Sequence, residues 1–288
     1  MKVAVIGANG QLGRDVSREF KQQGNEVFEL NHYIIEIADC KMVFDQLSTI
    51  KPDVVVNTAA MHNVEDCEKN PDYAFAVNSM GAKNLAIASN EFHFVLMHIS
   101  TDYVFNGAKG EPYTENDCPK PLNVYGMTKF NGECFIENIA SRYIILRVSG
   151  LYGRNPCRGK DGLNFVQLML KLAKERDEVR VVNDEILTPT NTADVAKQIY
   201  ALARCGDLYG LYHATAQGEC SWYRFAAEIF KMSDADVKLS IAEPSEFPSK
   251  VPRSKYCVLE NLSLKNLGLD IMPHWEKALD RYLKEEVI

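Results

Sequence analysis

Lys2-Val3-Ala4-Val5-Ile6-Gly7-Ala8-Asn9-Gly10-Gln11-Leu12-Gly13 stands at the head of the chain. Its first five residues are apolar beyond Lys2 and partly β-branched, which suits a short strand buried on both faces. Glycines at 7, 10 and 13 follow at once, and Leu12, Val16 and Phe20 then recur at helical spacing. Strand, glycine turn and amphipathic helix in this order predict a pyrophosphate-binding βα unit. Small residues let the backbone approach the anion, and the first N–H groups and positive dipole end of the helix face it. The spacing is G-x-x-G-x-x-G rather than G-x-G-x-x-G, so position between strand and helix, not the motif alone, carries the reading. Gly7, Asn9, Gly10, Gln11, Leu12 and Gly13 are the candidate contacts.

The same alternation continues along the chain. Glu26–Leu30, Asp53–Asn57, Phe92–Ile99, Tyr143–Arg147 and Gly210–Ala214 read as further strands. Between them, Asp39 caps a helix reaching Ile50, and Glu65–Glu91 is largely helical, broken near Asn70-Pro71, with Phe75, Leu85 and Ile87 toward the core. Later helices are expected at Leu163–Arg176, with Phe165, Leu168, Met169 and Leu172 in the core, at Thr192–Arg204 and at Ser221–Lys231. The pattern predicts an α/β protein, a Rossmann-type doubly wound parallel sheet with a smaller α/β substrate-binding domain. Residues 1–148 with about 185–212 form the first unit, and about 149–184 with 213–288 the second.

A chain of 288 residues with 46% hydrophobic and 25% charged residues can bury a full core. Its net charge of −7 favours neither a nucleic-acid backbone nor an anionic membrane. The 8 cysteines are scattered, without C-x-x-C or finger spacing, and read as reduced thiols. No apolar run is long enough to span a bilayer, so a cytoplasmic protein is expected.

Strand ends are where an open α/β sheet places its ligands. After the second strand, where an acid would hold an adenosine ribose, stands Asn31, an amide that admits either ribose or an ordinary turn. NADH and NADPH both remain open. Thr58-Ala59-Ala60-Met61 puts small residues at the third strand end, and Asn78 is a polar anchor or a surface amide. Ser100-Thr101-Asp102-Tyr103-Val104-Phe105 follows the fourth strand. Tyr125 and Lys129, four apart on a helix, share one face. An ammonium beside a phenol favours the phenolate, so the pair predicts a lowered tyrosine pKa and proton exchange with a carbonyl or alcohol oxygen.

Taken together, the glycine turn, the Ser-Thr pair and Tyr-x-x-x-Lys resemble the extended short-chain dehydrogenase/reductases. Gly10-Gln11-Leu12-Gly13, Pro52–Asn57, Ser100–Phe105, Pro121–Lys129, Asn164-Phe165, Thr188-Pro189-Thr190, Arg253–Asn261 and Met272–Trp275 are similar to the dTDP-4-dehydrorhamnose reductase family. The resemblance spans nearly the whole chain. It implies that Gly10, Gln11 and Leu12 meet the dinucleotide pyrophosphate, that Glu36-Ile37 lies near the adenine, and that Ala60, Met61 and His62 line the nicotinamide side. Thr101 would steady the substrate C4 oxygen, Tyr125 protonate it and Lys129 hold the ribose and tune Tyr125. Asp102, with Tyr103, Phe105, Asn164 and Arg253, would serve the sugar nucleotide. The implied reaction is reduction by NADPH or NADH of a dTDP-linked 4-keto-6-deoxy sugar.

Gly150 stands where some members carry a tryptophan that packs on the sugar, so a large contact surface is missing there. Arg154, Arg158 and Lys160 form a basic loop, read mainly as solvated charge. Trp222 is assigned to the core. No carboxylate cluster suggests a metal, and a monomer or homodimer is expected. The resemblance also admits an epimerase or dehydratase on the same scaffold, and a non-catalytic NADP-binding regulatory subunit of methionine adenosyltransferase type.

Overall fold

The structure, a computed structural model, describes residues 1–157, 162–246 and 251–287. Strands β1 (Lys2–Ile6), β2 (Glu26–Leu30), β3 (Val54–Asn57), β4 (Val95–Thr101) and β5 (Tyr143–Val148) alternate with helices α1 (Gln11–Gln22), α2 (Cys40–Ile50), α3 (Val64–Lys69), α4 (Pro71–Phe75), α5 (Gly81–Phe92) and α6 (Val124–Ile139). Further on lie β6 (Leu151–Tyr152), α7 (Phe165–Glu175), β7 (Glu178–Val181), β8 (Ile186–Leu187), β9 (Thr190–Asn191) and α8 (Thr192–Ala203). The chain ends with β10 (Gly210–His213), β11 (Cys220–Ser221), α9 (Trp222–Met232), β12 (Lys238–Ile241), α10 (Leu262–Asn266) and α11 (Trp275–Tyr282).

Six strands form one sheet in the order β10-β5-β4-β3-β1-β2, and every pairing in it is parallel. Parallel strands need a crossover between them, which is why a helix separates each pair. Successive side chains on a strand point to opposite faces. Val3 and Val5 accordingly enter one apolar layer with Val16, Phe20 and Leu146, while Ala4 and Ile6 enter the other with Val55, Leu85 and Ile145. From β1 the chain goes first to β2 on one side and then to β3 on the other, so the carboxyl end of β1 is a topological switch point, where such sheets open a crevice. Three two-stranded pieces, β6–β9, β7–β12 and β8–β11, stand beyond the main sheet. Around them Tyr152, Phe225, Ile229 and Trp275 form a third core. Among the described residues no helix is long and apolar enough to cross a membrane.

Three local expectations need correction. Residues 76–80 make a single π-helical turn, Ala76–Met80, between α4 and α5. Ala74, Val77 and Leu85 face inward while Phe75 and Ile87 are exposed; Leu85 and Ile87, two apart on one helix, cannot share a face. The helix runs through Phe92 and closes on His93 in the left-handed region, φ 60°. The fourth strand therefore starts three residues late, at Val95, and runs to Thr101, with Ser100 and Thr101 as its last two residues. On α7 the inward face is carried by Val166 and Met169, and Leu168 is exposed.

Candidate active site

A cavity of about 760 Å³ opens over the carboxyl ends of the central strands. One wall is the turn between β1 and α1, with Gly7, Asn9, Gly10, Gln11, Leu12 and Gly13 all on its surface. α1 has neither a side-chain cap nor an acidic residue in its first turn. Its leading N–H groups and dipole thus face the cavity without a protein anion to satisfy them. A Cβ on Gly13 would lie 2.2 Å from the Gly7 carbonyl oxygen, so this turn closes on itself only without a side chain. Both features fit a dinucleotide pyrophosphate.

Asn31 does not reach the cavity. Its side-chain oxygen accepts from the Tyr33 N–H (2.9 Å), an Asx turn that fixes the chain after β2. His32, Glu36 and Ile37 line the wall there instead. Ala59, Ala60, Met61 and His62 continue it from the end of β3. Asn78 lies behind this segment and off the cavity: its amide accepts from Met61 N–H (2.9 Å), donates to the Met61 carbonyl (3.0 Å) and to the Thr128 hydroxyl (3.0 Å). It joins the wall to α6, and its role is to position Met61.

Thr101, Tyr125 and Lys129 meet on the cavity floor. Asn123 caps α6 by accepting from Gly126 N–H (2.9 Å), and its amide donates to the Pro252 carbonyl (2.9 Å), which ties the tyrosine-bearing turn to the segment that holds Arg253. The Thr101 hydroxyl donates to Asp102 (2.9 Å), and Ser149 donates to the other Asp102 oxygen (2.8 Å). Burial pushes the Asp102 carboxyl up to about 6 against these two hydrogen bonds. Tyr125 lies beside Thr101 and packs edge-on against Tyr103 at 5.4 Å.

The expected lowering of the Tyr125 pKa by Lys129 does not hold. The Lys129 amine is turned toward β4, where it donates to the Ile99 carbonyl (2.7 Å) and lies 3.0 Å from His98 Nε2. Protein crowded around the phenol pushes its pKa above the ordinary value. Burial brings Lys129 itself down to about 8, with Glu133 acting the other way. Glu133 is spent elsewhere: it forms a buried ion pair with Arg147 (2.6 Å) and accepts from Ser100. Removing one partner of such a pair would leave a buried charge uncompensated, so the pair fixes α6 against β5.

Phe105 is likewise off the cavity. It is buried, stacked on Tyr113 at 4.2 Å, with the Arg147 guanidinium 5.1 Å from its ring. Asn164 is buried too, where it closes a capping box on α7 and donates to the Gly153 carbonyl (2.7 Å). Both residues support the floor without facing it.

The opposite wall carries Gly150, Phe165, Glu185, Ile186, Leu187, Trp222, Arg253 and Cys257. Gly150 adopts φ +55°, and a Cβ there would fall 2.8 Å from the Thr188 carbonyl oxygen, so a large residue cannot stand at this position in this backbone. Trp222, expected in the core, is half-buried on the wall. Its ring lies 4.5 Å from that of Phe165, and its indole N–H donates to Glu185 (3.1 Å). Aromatic surface absent at 150 is therefore present, from another element. Sequence reasoning missed Ser149, Glu185 and Cys257 as lining residues, although Ser149 stands beside Gly150 and Cys257 lies within the Arg253–Asn261 run. Arg158 and Lys160 lie outside the described residues.

The RmlD substrate binding domain model matches residues 1–288. A spore coat polysaccharide biosynthesis protein, SpsK, of Bacillus subtilis is 40% identical over 99% of this chain and 97% of its own. A solved dTDP-4-dehydrorhamnose reductase from Clostridium acetobutylicum superposes with a TM-score of 0.93 at 39% identity, covering 99% of both chains. A second, from Bacillus anthracis and in complex with NADP, gives 0.91 at 37% identity, again over 99% of both.

Proposed function

This chain belongs to the RmlD substrate-binding domain family, and from that premise we propose that it is an NAD(P)H-dependent reductase of the 4-keto group of dTDP-4-dehydro-6-deoxy-L-mannose, giving dTDP-L-rhamnose. The observation that carries the reading is the meeting of Thr101, Tyr125 and Lys129 beneath a side-chain-free pyrophosphate turn, in one cavity. In this reading residues 1–148 with about 185–212 hold the dinucleotide, and the remainder holds the sugar nucleotide in the cytoplasm. The reduced nicotinamide, when bound, supplies the hydride.

The chain's own residues do the rest. Gln11 and Leu12 present backbone donors to the pyrophosphate, Gly10 lets the chain approach it while its own N–H donates to the Gly7 carbonyl (2.8 Å), and Glu36 with His32 reaches toward the adenosine end. Tyr125, kept protonated by its surroundings, holds the proton for the carbonyl oxygen at its phenol oxygen. The Thr101 hydroxyl donates its one proton to Asp102 and its oxygen accepts from the Tyr103 N–H, which fixes it beside Tyr125 and leaves the phenol proton free for the carbonyl oxygen. Arg253, on the far wall, offers a fork for a diphosphate.

The test is oxidation of NADPH or NADH on adding dTDP-4-keto-6-deoxyhexose. Tyr125→Phe should cut turnover by about 10²–10⁴-fold, the span typical of general acid–base groups, while leaving dinucleotide affinity nearly intact. Lys129→Met should weaken both. Full activity in both variants would overturn the mechanism, and tight binding to a synthetase without turnover would favour a regulatory subunit.

A further inference from the structure

His98 is buried on β4, one layer below the cavity, and takes no part in the reaction described above. Its ring is bracketed: Asn57 Nδ2 lies 3.1 Å from Nδ1, and Lys129 Nζ lies 3.0 Å from Nε2. Which way protons run through this chain is fixed at its far end. The Asn57 oxygen accepts the Ala59 N–H (3.1 Å), so the other end of the amide, a donor, faces the imidazole. A buried neutral imidazole carries one N–H. Nδ1 must then accept from Asn57, and the proton sits on Nε2, pointing at Lys129.

An ammonium has three donors and no acceptor, so it would meet this Nε2–H head-on. A neutral amine has one lone pair and two N–H groups. The lone pair accepts from His98, one N–H goes to the Ile99 carbonyl, and the second is left for the cavity, which Lys129 lines. Turning the Asn57 amide over would free His98 to accept from an ammonium, but only by setting an NH₂ group against the Ala59 N–H.

We infer that His98 is a positioning residue that holds Lys129 as a neutral amine in the dinucleotide-free protein. The groups facing Lys129 are consistent with this. Glu133 on its own helix would favour the ammonium, but its charge is taken up by Arg147 of β5. Cys67 of α3, which acts on Tyr125, is held as a thiol by burial. Burial also lowers the His98 pKa, and the Nε2–H pushes Lys129 further in the direction that burial has already taken it. The consequence rests on the reductase reading: before the dinucleotide binds, no cation favours the phenolate, so Tyr125 enters the dinucleotide complex with the proton that a ketone reduction needs. The phenolate is the form that serves the reverse reaction.

Nitrogen NMR of the full chain labelled in histidine, without dinucleotide and near neutral pH, tests the inference directly. His98 should show a pyridine-type Nδ1 and a pyrrole-type Nε2; the reversed pattern overturns it. A second measurement follows the titration of Lys129 through its Cε carbon in the parent and in His98→Phe. Loss of the facing N–H should raise the midpoint by about one unit, a tenfold change in protonation. A midpoint that falls would mean that the ring accepts from an ammonium, which also overturns it. If His98→Phe does not fold, the nitrogen pattern of the parent decides. Neither readout needs turnover, so failure of the NAD(P)H oxidation assay would leave this result standing, and the reverse holds as well.

Discussion

On one side of the cavity the turn between β1 and α1 presents backbone: glycines, N–H groups and a helix end with nothing in front of it. On the other side Phe165, Glu185 and Trp222 present side chains from three separate elements, joined by an aromatic contact and one hydrogen bond. The first wall gains its shape from what is missing, and every atom of it is placed by a few neighbouring residues. The second is assembled across 57 positions of sequence, from Phe165 to Trp222, and its shape depends on packing between small two-stranded pieces. A wall of the first kind should be intolerant of added atoms. A wall of the second kind should tolerate change and answer it with altered specificity.

The sharpest way to break this contrast is to add a side chain to the backbone wall. In Gly13→Val the Cβ would meet the Gly7 carbonyl oxygen at 2.2 Å and the Ala8 Cα at 2.9 Å, neither of which can rotate away. Overpacking of this kind costs about 3 kcal/mol when the neighbours are rigid. We expect a lowered denaturation midpoint and loss of dinucleotide binding by calorimetry. Near-parent affinity for NADPH in a folded variant would show that the turn is softer than its contacts imply.

Between the walls, Asp102 makes a smaller prediction with a defined pH sign. Its carboxyl binds a proton more tightly folded than unfolded, about 6 against 3.8. The stability it contributes is therefore fully present below about pH 4 and is lost as pH rises through about 6. At about 1.36 kcal/mol per unit, the loss is on the order of 2–3 kcal/mol. Asp102→Asn should thus be more stable than the parent at pH 8 and close to it at pH 4, read from urea midpoints at both values. A difference independent of pH would mean that Ser149 and Thr101 already stabilise the carboxylate enough to offset its burial.

The two walls were not equally legible in the sequence, for the same physical reason that they differ. β1, the glycine turn and α1 follow from periodicity and glycine spacing, because the interactions that shape them are local. Tyr125 and Lys129 could be placed on one helix face by their spacing alone. Where the Lys129 amine points could not be read, because that is decided by His98 on β4 and Asn57 on β3, which meet it only after the sheet has formed. Asn78 was read as a cofactor contact and Phe105 and Asn164 as substrate contacts, yet each turns its side chain into supporting contacts. Their polar or aromatic character does not reveal which side of the floor they occupy. Trp222 was assigned to the core for want of any local signal: its place on the cavity wall depends on Phe165, against which its ring lies, and on Glu185 holding its indole.

That dependence gives the smallest effect and the one most specific to the far wall. Trp222→Ala removes the ring that lies against Phe165 and leaves Glu185 without its donor, at a place where the carboxylate can take water instead. Aromatic pairs contribute about 0.5–1.5 kcal/mol beyond area, so stability should fall only modestly. Under the reductase reading the loss should appear as a rise of about tenfold in KM for the sugar nucleotide, with NADPH affinity unchanged, because the backbone wall is untouched. Phe165→Leu should go the same way by a smaller factor. If instead NADPH affinity fell with the sugar nucleotide's, the two walls would be coupled through the floor, and the contrast between a wall built of backbone and one built of side chains would not describe how the cavity binds.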